Sequence, residues 1–323
     1  MLEPNKHLVS ICIPAYKNTS FLERLLASLL IQTYTNFEVI ISDDSPDDIV
    51  KDFIIQYKDK LRIFYFKNNP SLGTPANWNF AMNQAKGEFI KLIHDDDWLA
   101  NEHSLNLMVD ALLKNEHADF VFSAYSNVDV ETNNSFSVIA NLKSIELIKI
   151  NPLNLFRSNV IGPPSVIMHR RKFDFEYDEK LKWVVDFEGY MRCLQKGSYF
   201  VYLPEPLINV GVSSVQVTKT SSRIREVEIP ENFYMLLKQG LHILNNIWVF
   251  DYYWRLLRNV GIRREKDIMA ATWKEEIPKV LKRMIWWQRT LPIKTLNVGI
   301  ISKTIMFICF ISTIKIGKLV PNS

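Results

Sequence analysis

Short apolar runs of strand length, separated by helical patterns, leave this chain few folds to choose from. The first is Val9-Ser10-Ile11-Cys12-Ile13-Pro14, apolar at almost every position. A strand of that kind is buried on both faces, which requires a mostly parallel sheet covered by helices. Further strands are predicted over Phe37–Asp43, Arg62–Phe66, Glu88–His94, Asp119–Tyr125 and Tyr199–Leu203. Helical patterns lie between them at Phe21–Ile31, Asp48–Tyr57, Ala76–Gln84, Ser104–Lys114 and Asp186–Gln195. Past Glu226 the pattern turns helical throughout, with long helices expected over Glu231–Val260 and Lys266–Gln288. The fold class is therefore α/β, a mixed and mostly parallel sheet flanked by helices, with a C-terminal helical extension.

The 323 residues are 47% hydrophobic and 23% charged, ordinary globular material for one large α/β domain and an appendage. The expected division is 1–225 for the α/β domain, 226–290 for the helical extension and 291–323 for a tail. Net charge is +4, too small a surplus to argue for nucleic acid. Its placement is more telling. From Ile277 to Ser323 there is no acid, while Lys279, Lys282, Arg283, Arg289, Lys294, Lys303, Lys315 and Lys318 add eight cations, leaving the first 276 residues at −4. Ile285-Trp286-Trp287 and the uncharged run Thr304–Ile314 share that tail. The run falls short of the roughly 20 residues that cross a bilayer. Tryptophan and cations beside a short apolar segment suit the headgroup boundary, so the tail is read as a peripheral membrane contact. The competing reading is a buried helix with a solvated basic face.

Cys12, Cys193 and Cys309 are odd in number, far apart and set among apolar residues, with neither zinc spacing nor a disulfide framework. Met1–His7 has no apolar core of signal-peptide type. Both point to a reducing, cytoplasmic location, with attachment to the inner face of the cell membrane through the tail.

In open α/β sheets ligands bind beyond the carboxyl ends of the strands. The first strand ends in Pro14-Ala15-Tyr16-Lys17-Asn18, the second in Ser42-Asp43-Asp44-Ser45, and the fourth in His94-Asp95-Asp96-Asp97-Trp98. Three adjacent carboxylates repel one another unless a cation offsets them, and oxygen ligands completed by substrate phosphates suit Mg²⁺ or Mn²⁺. Asp47 and Asp48 are read instead as acids at a helix start.

The segment Val9–Asn18 resembles the opening of family 2 glycosyltransferases, which have the GT-A nucleotide-diphosphosugar transferase fold. Ser28–Tyr34, Phe37–Ser45, Asn69–Asn83 and Lys91–Leu99 follow in the family's order. The resemblance spans about Leu8 to Val210. It implies that Tyr16 stacks on the nucleotide base, with Pro14 and Ala15 lining that pocket. It likewise implies that Asp44 accepts the imide N–H of uracil or thymine, that Asn77 lies near the nucleotide, that Asp96 holds the ribose and that Asp97 binds the metal. His94 stands where many members have another Asp, and its role stays open. Trp183–Arg192 resembles the segment bearing the general base, which makes Asp186 the base, with Glu188 behind it and Val185 in place of a first acid. The loop Ile161–Ser165 is assigned to the acceptor side. His169, Arg170 and Arg171 either meet a phosphate or form a solvated turn.

The implied activity is an inverting, metal-dependent transfer of one sugar from a UDP- or dTDP-sugar to a glycan acceptor, lipid-linked, in capsule or O-antigen assembly. Alternatives are a metal-dependent nucleotidyltransferase or phosphohydrolase, and a non-catalytic nucleotide-binding module at the membrane. The chain has no Gln-x-x-Arg-Trp segment and no array of membrane spans, which argues against a processive synthase.

Overall fold

The computed structural model describes residues 7–173, 175–212, 224–271 and 273–316. Two compact units emerge from the packing: 1–146 with 160–214, and 147–159 with 215–323. Residues 147–159 thus pack with the C-terminal helices although they fall within the stretch expected to form the α/β domain.

The first unit is built on strands β1 (Val9–Ala15), β2 (Phe37–Asp43), β3 (Ile63–Lys67), β4 (Phe89–Leu92), β5 (Trp98–Leu99), β6 (Phe120–Asp129), β7 (Ser135–Val138), β8 (Ile167–Arg170) and β9 (Phe200–Val212). They form one mixed sheet of order β3-β2-β1-β4-β8-β6-β9-β5, with β7 on β6. Strand β1 runs parallel to both neighbours, in register from Val9↔Phe37 to Ala15↔Asp43 and from Val9↔Phe89 to Cys12↔Leu92. All three therefore present their carboxyl ends at one edge. Beyond β4 the sheet becomes partly antiparallel, through the β4–β8 and β8–β6 pairs.

Burial explains why β1 is so apolar. Val9, Ile11, Cys12 and Ile13 are at most 1% exposed. Sinking a large aliphatic side chain to that depth contributes roughly 1.5–3 kcal/mol. Helix α1 (Thr19–Leu30) buries Leu22, Leu25, Leu26 and Leu29, one stripe at helical spacing, and Asn18 caps it by accepting the Phe21 N–H at 3.2 Å. Helices α2 (Ile49–Ile54), α3 (Ala76–Asn83), α4 (Ser104–Lys114), α5 (Leu142–Ile150) and α6 (Val185–Gln195) complete the series. All three cysteines are buried free thiols.

Several strands depart from expectation. Strand β5 is two residues, and β7 and β8 are four each, too short to carry a pattern that stands out, while β6 runs on to Asp129. Strand β9 continues nine residues past Leu203, through Pro204 and Pro206, because register shifts opposite Ser123–Tyr125 absorb the missing donors.

The second unit contains α7 (Arg225–Gln239), α8 (Ile247–Asn259), α9 (Glu265–Ala270), α10 (Lys279–Arg289), α11 (Ile293–Leu296) and α12 (Gly299–Ile316). The expected long helix over Glu231–Val260 is two. Gly240 divides them at φ +86°, a left-handed conformation that only glycine adopts without strain. The expected helix over Lys266–Gln288 is likewise interrupted, and Pro278 opens its second part.

Helix α12 is apolar on two sides. Its Met306, Cys309 and Phe310 are buried, Phe310 packs edge-on to Phe250 of α8 at 5.2 Å, and Ser302 accepts the Trp254 indole N–H at 3.1 Å. Ile300, Phe307, Ile308 and Ile311 on other sides are exposed, Ile300 to 81%. Among the described residues no helix is long and apolar enough to cross a membrane. Lys318 lies outside the described residues.

Candidate active site

The parallel arrangement of β1, β2 and β4 puts three polar loops side by side, and the chain ties them together. Lys17 enters at φ +61°, and its N–H donates to Ser45 Oγ at 2.7 Å, joining the first loop to the second. The Tyr16 N–H donates to Asp95 Oδ2 at 3.2 Å, joining the first to the third. Tyr16 presents its ring to solvent, 54% exposed, with Lys17 Nζ 4.9 Å from the ring centre. Pro14 and Ala15 are buried beneath it at the end of β1.

Asp44 is buried, and its carboxylate accepts from Asn68 Nδ2 at 2.8 Å, from the Leu72 N–H at 3.0 Å and from the Gly73 N–H at 2.7 Å. Asn77, on α3, is buried in the same network. It donates to the Ser42 carbonyl at 3.2 Å and accepts from Asn68 at 3.1 Å. Both amide groups of Asn77 are thus engaged inside the protein, and it braces Asp44 through Asn68. Asp43 lies below, accepting from Tyr65 Oη at 2.7 Å and Lys67 Nζ at 3.1 Å.

The third loop concentrates charge. One ligand atom each from His94, Asp96 and Asp97 fall within 4.8 Å of one another. Asp97 is 2% exposed, and its Oδ1 accepts the Gly211 N–H of β9 at 3.1 Å. Burial, reinforced by the Asp96 charge, pushes the Asp97 carboxyl well above the usual range, while a hydrogen bond from Ser165 pulls the other way. Asp95 is raised to about 7 by the same two causes in the same order. Burial lowers the His94 imidazole, against the opposing pull of Asp96. His94 is held at two points: its backbone N–H donates to Ser165 Oγ at 3.0 Å, and its ring lies 4.5 Å from that of Trp78. Its Nε2 is buried without a hydrogen-bond partner among the described residues.

This donor set fits a divalent cation. A buried carboxylate flanked by a second acid gains most from a neighbouring positive ion, and an orphaned buried nitrogen gains a partner. Behind the loop, the fully buried Lys91 of β4 donates to the carbonyls of Ser165 and Ile167, the latter at 3.2 Å. Burial brings its ammonium down to about 7, although Asp97 favours the charged form.

Asp186 sits in the first turn of α6, where its Oδ1 accepts the Phe187 N–H at 2.7 Å. Burial raises the Tyr125 hydroxyl first, and the charges of Asp186 and Asp97 both add to that rise. Gly162, at φ +102°, makes room for this tyrosine: a Cβ there would lie 2.8 Å from Tyr125 Cε1. Glu188 is fully buried against Arg192 Nε at 3.3 Å, which commits it to an ion pair.

The structure therefore groups Pro14, Ala15, Tyr16, Asp44, Asp96 and Asp97 at one sheet edge. Asp186 stands in the first turn of α6, and Asn77 is buried behind Asp44, bonded to Ser42 and Asn68. Arg170 is elsewhere: it lies opposite Phe89 at the amino end of β4, donating to the carbonyls of Ala118 and Leu112. Sequence reasoning gave no role of their own to Tyr125 and Lys91, and took in Ser165 only as the end of a loop assigned to the acceptor side. Ser165 carried one signal, its place in the Gly162-Pro163-Pro164 turn, which pointed to a loop of consequence but not to its partner.

Residues 10–177 match the family model described as Glycosyl transferase family 2. WfaP of Escherichia coli, described as a UDP-Glc:alpha-D-GlcNAc-diphosphoundecaprenol beta-1,3-glucosyltransferase, is 30% identical over 228 residues, covering 69% of this chain and 85% of that protein. Among solved structures, TarS 1–349 of S. aureus in complex with UDP-GlcNAc superposes with a TM-score of 0.56 at 16% identity, covering 96% of this chain and 92% of that one. The mannosyltransferase PcManGT of Pyrobaculum calidifontis, in complex with GDP-Man and Mn²⁺, gives 0.54 at 14% identity over 95% and 86%. At those identities the structures establish a shared fold.

Proposed function

Because the chain belongs to glycosyl transferase family 2 and is a glycosyltransferase, we propose that it transfers a single sugar, with inversion, from a UDP- or dTDP-sugar to a lipid-linked glycan diphosphate. This places it at the cytoplasmic face of the cell membrane, in assembly of a surface polysaccharide such as capsule or O-antigen. One observation carries the reading: ligand atoms of His94, Asp96 and Asp97 lie within 4.8 Å of one another at the carboxyl end of β4, in a loop tied to the Tyr16 loop and through it to the loop after β2.

Each residue's part follows from its surroundings. The exposed Tyr16 ring offers a stacking face to a nucleotide base, over Pro14 and Ala15. Asp44 accepts three hydrogen bonds, and a carboxylate has about four lone-pair sites, so one is left for an imide N–H. Asn77 contributes by holding that carboxylate in place. Asp96 was expected at the ribose; its ligand atom lies in the same group as that of Asp97, so we assign both to a divalent cation, Mn²⁺ or Mg²⁺. When bound, the cation neutralises charge on the diphosphate leaving group. Asp186 takes the proton of the acceptor hydroxyl as that oxygen attacks the anomeric carbon. Buried Tyr177 and Tyr190 lie close enough to feel its charge, and they supply an environment that keeps bulk water from competing.

The membrane part rests on α12. A helix apolar on more than one side has a face that packing leaves uncovered. Here Ile300, Phe307, Ile308 and Ile311 remain exposed, in a tail with Lys294 and Lys303 and no acid. UDP as donor and a lipid-linked acceptor are supported by the similarity to WfaP.

The test is a transfer assay with UDP-glucose, UDP-GlcNAc and their dTDP counterparts on a GlcNAc-diphospholipid acceptor. Asp186→Asn is expected to lower kcat by about 10²–10⁴, the usual weight of a general base, and to change the Kd for UDP less than about threefold. Turnover within tenfold of wild type would remove Asp186 from the role.

A further inference from the structure

We propose that His94 is a protein ligand of the divalent cation and that its imidazole tilts the site away from Mg²⁺ toward Co²⁺ and Mn²⁺. The inference rests on the reading of the acidic loop as a cation site and adds a nitrogen to it.

Three independent features of His94 converge. First, a ring nitrogen of His94 lies within 4.8 Å of carboxylate oxygens of both Asp96 and Asp97. Second, Nε2 is buried and has no hydrogen-bond partner among the described residues. A buried polar atom left unpaired in an otherwise well-bonded site gains from any partner it can reach, and coordination to a cation supplies one. Third, the residue is braced at its backbone and at its ring before any ion arrives. The His94 backbone N–H donates to Ser165 Oγ at 3.0 Å, and Trp78 lies against the imidazole at 4.5 Å between ring centres and 40° between planes. A ligand held in this way loses little freedom on binding. Ser165 is itself pinned from behind by Lys91, whose ammonium donates to its carbonyl.

The chemical consequence follows from donor type. Mg²⁺ prefers an all-oxygen octahedron and keeps its waters. One imidazole among two carboxylates is a borderline set, and affinity for such a site rises from Mn²⁺ to Co²⁺. A carboxylate at position 94 would make the set all-oxygen and would admit Mg²⁺ on more equal terms.

The experiment uses the full chain with saturating UDP. MgCl₂, MnCl₂ and CoCl₂ are titrated calorimetrically into wild type and His94→Asp, and bound Mn²⁺ is examined by electron spin-echo modulation for directly coupled ¹⁴N. Wild type is expected to bind Co²⁺ at least tenfold more tightly than Mg²⁺ and to show nitrogen coupling. His94→Asp is expected to lose the coupling and to narrow the Co²⁺/Mg²⁺ ratio to under about threefold. Cation binding by wild type without nitrogen coupling would overturn the role of His94 and leave the acidic loop as the cation site. Absence of binding by all three cations would overturn both. The spin-echo result on wild type does not depend on the variant folding.

Discussion

Asp95, Asp96 and Asp97 follow one another in the chain and are held where their charges oppose one another. Burial and the Asp96 charge lift the Asp97 carboxyl well above its ordinary value and bring Asp95 to about 7. A raised carboxyl binds its proton more firmly in the folded state. Its contribution to metal-free stability is therefore greatest at low pH and is lost as pH rises through about 7. A cation at Asp97 must displace the proton of that carboxyl, so its affinity runs the other way. Mn²⁺ is expected to bind several-fold more tightly at pH 8 than at pH 6, with proton release on binding at pH 6. Calorimetry in two buffers of different ionisation enthalpy measures both. An affinity that stays flat between those values would show that the carboxyls in the site are ionised throughout.

At the scale of elements, the acidic loop depends on strand β9, more than a hundred residues later. Gly211 donates its N–H to Asp97 Oδ1 at 3.1 Å, and a Cβ on Gly211 would lie 2.3 Å from the Asp96 carbonyl oxygen. Gly211→Ala must push strand and loop apart. It is expected to weaken Mn²⁺ binding at least tenfold while far-ultraviolet circular dichroism stays native, and unchanged Mn²⁺ affinity would show that the loop does not rely on β9. This contact also shows what a sequence can and cannot convey. The carboxyl ends of β1, β2 and β4 were legible because a doubly buried strand is apolar throughout, and the polar residues that follow it mark its end. What the sequence could not convey for Asn77 is its bracing: the packing of α3 sets its amide between Ser42 and Asn68. His94 stayed open because an unpaired nitrogen is a property of tertiary burial. In the second unit, periodicity ran across Gly240, where a single positive φ ends one helix and separates it from the next. The prolines of β9 hid the other way: they read as a stop, while irregular pairing with β6 carries the strand through them.

For the whole molecule, the proposed reaction asks for two surfaces: a nucleotide site on the first unit and, if α12 meets lipid, a membrane contact on the second. Leu281, Met284 and Ile285 of α10 are buried, so deleting the tail would damage the second unit itself. Substitution is the cleaner probe. Ile300→Glu with Phe307→Glu is expected to reduce flotation with vesicles of anionic phospholipid at least fivefold, and to leave UDP affinity and the melting temperature unchanged. Undiminished flotation would move the membrane contact away from α12. The donor site underlies every other inference, and calorimetric titration of UDP, dTDP, GDP and CDP, with and without Mn²⁺, into wild type and Asp97→Ala tests it most directly. Binding of UDP or dTDP that requires both Mn²⁺ and Asp97 is the predicted result. Equal binding with and without Mn²⁺, or binding that survives Asp97→Ala undiminished, would contradict a cation-assisted nucleotide-sugar site at this sheet edge.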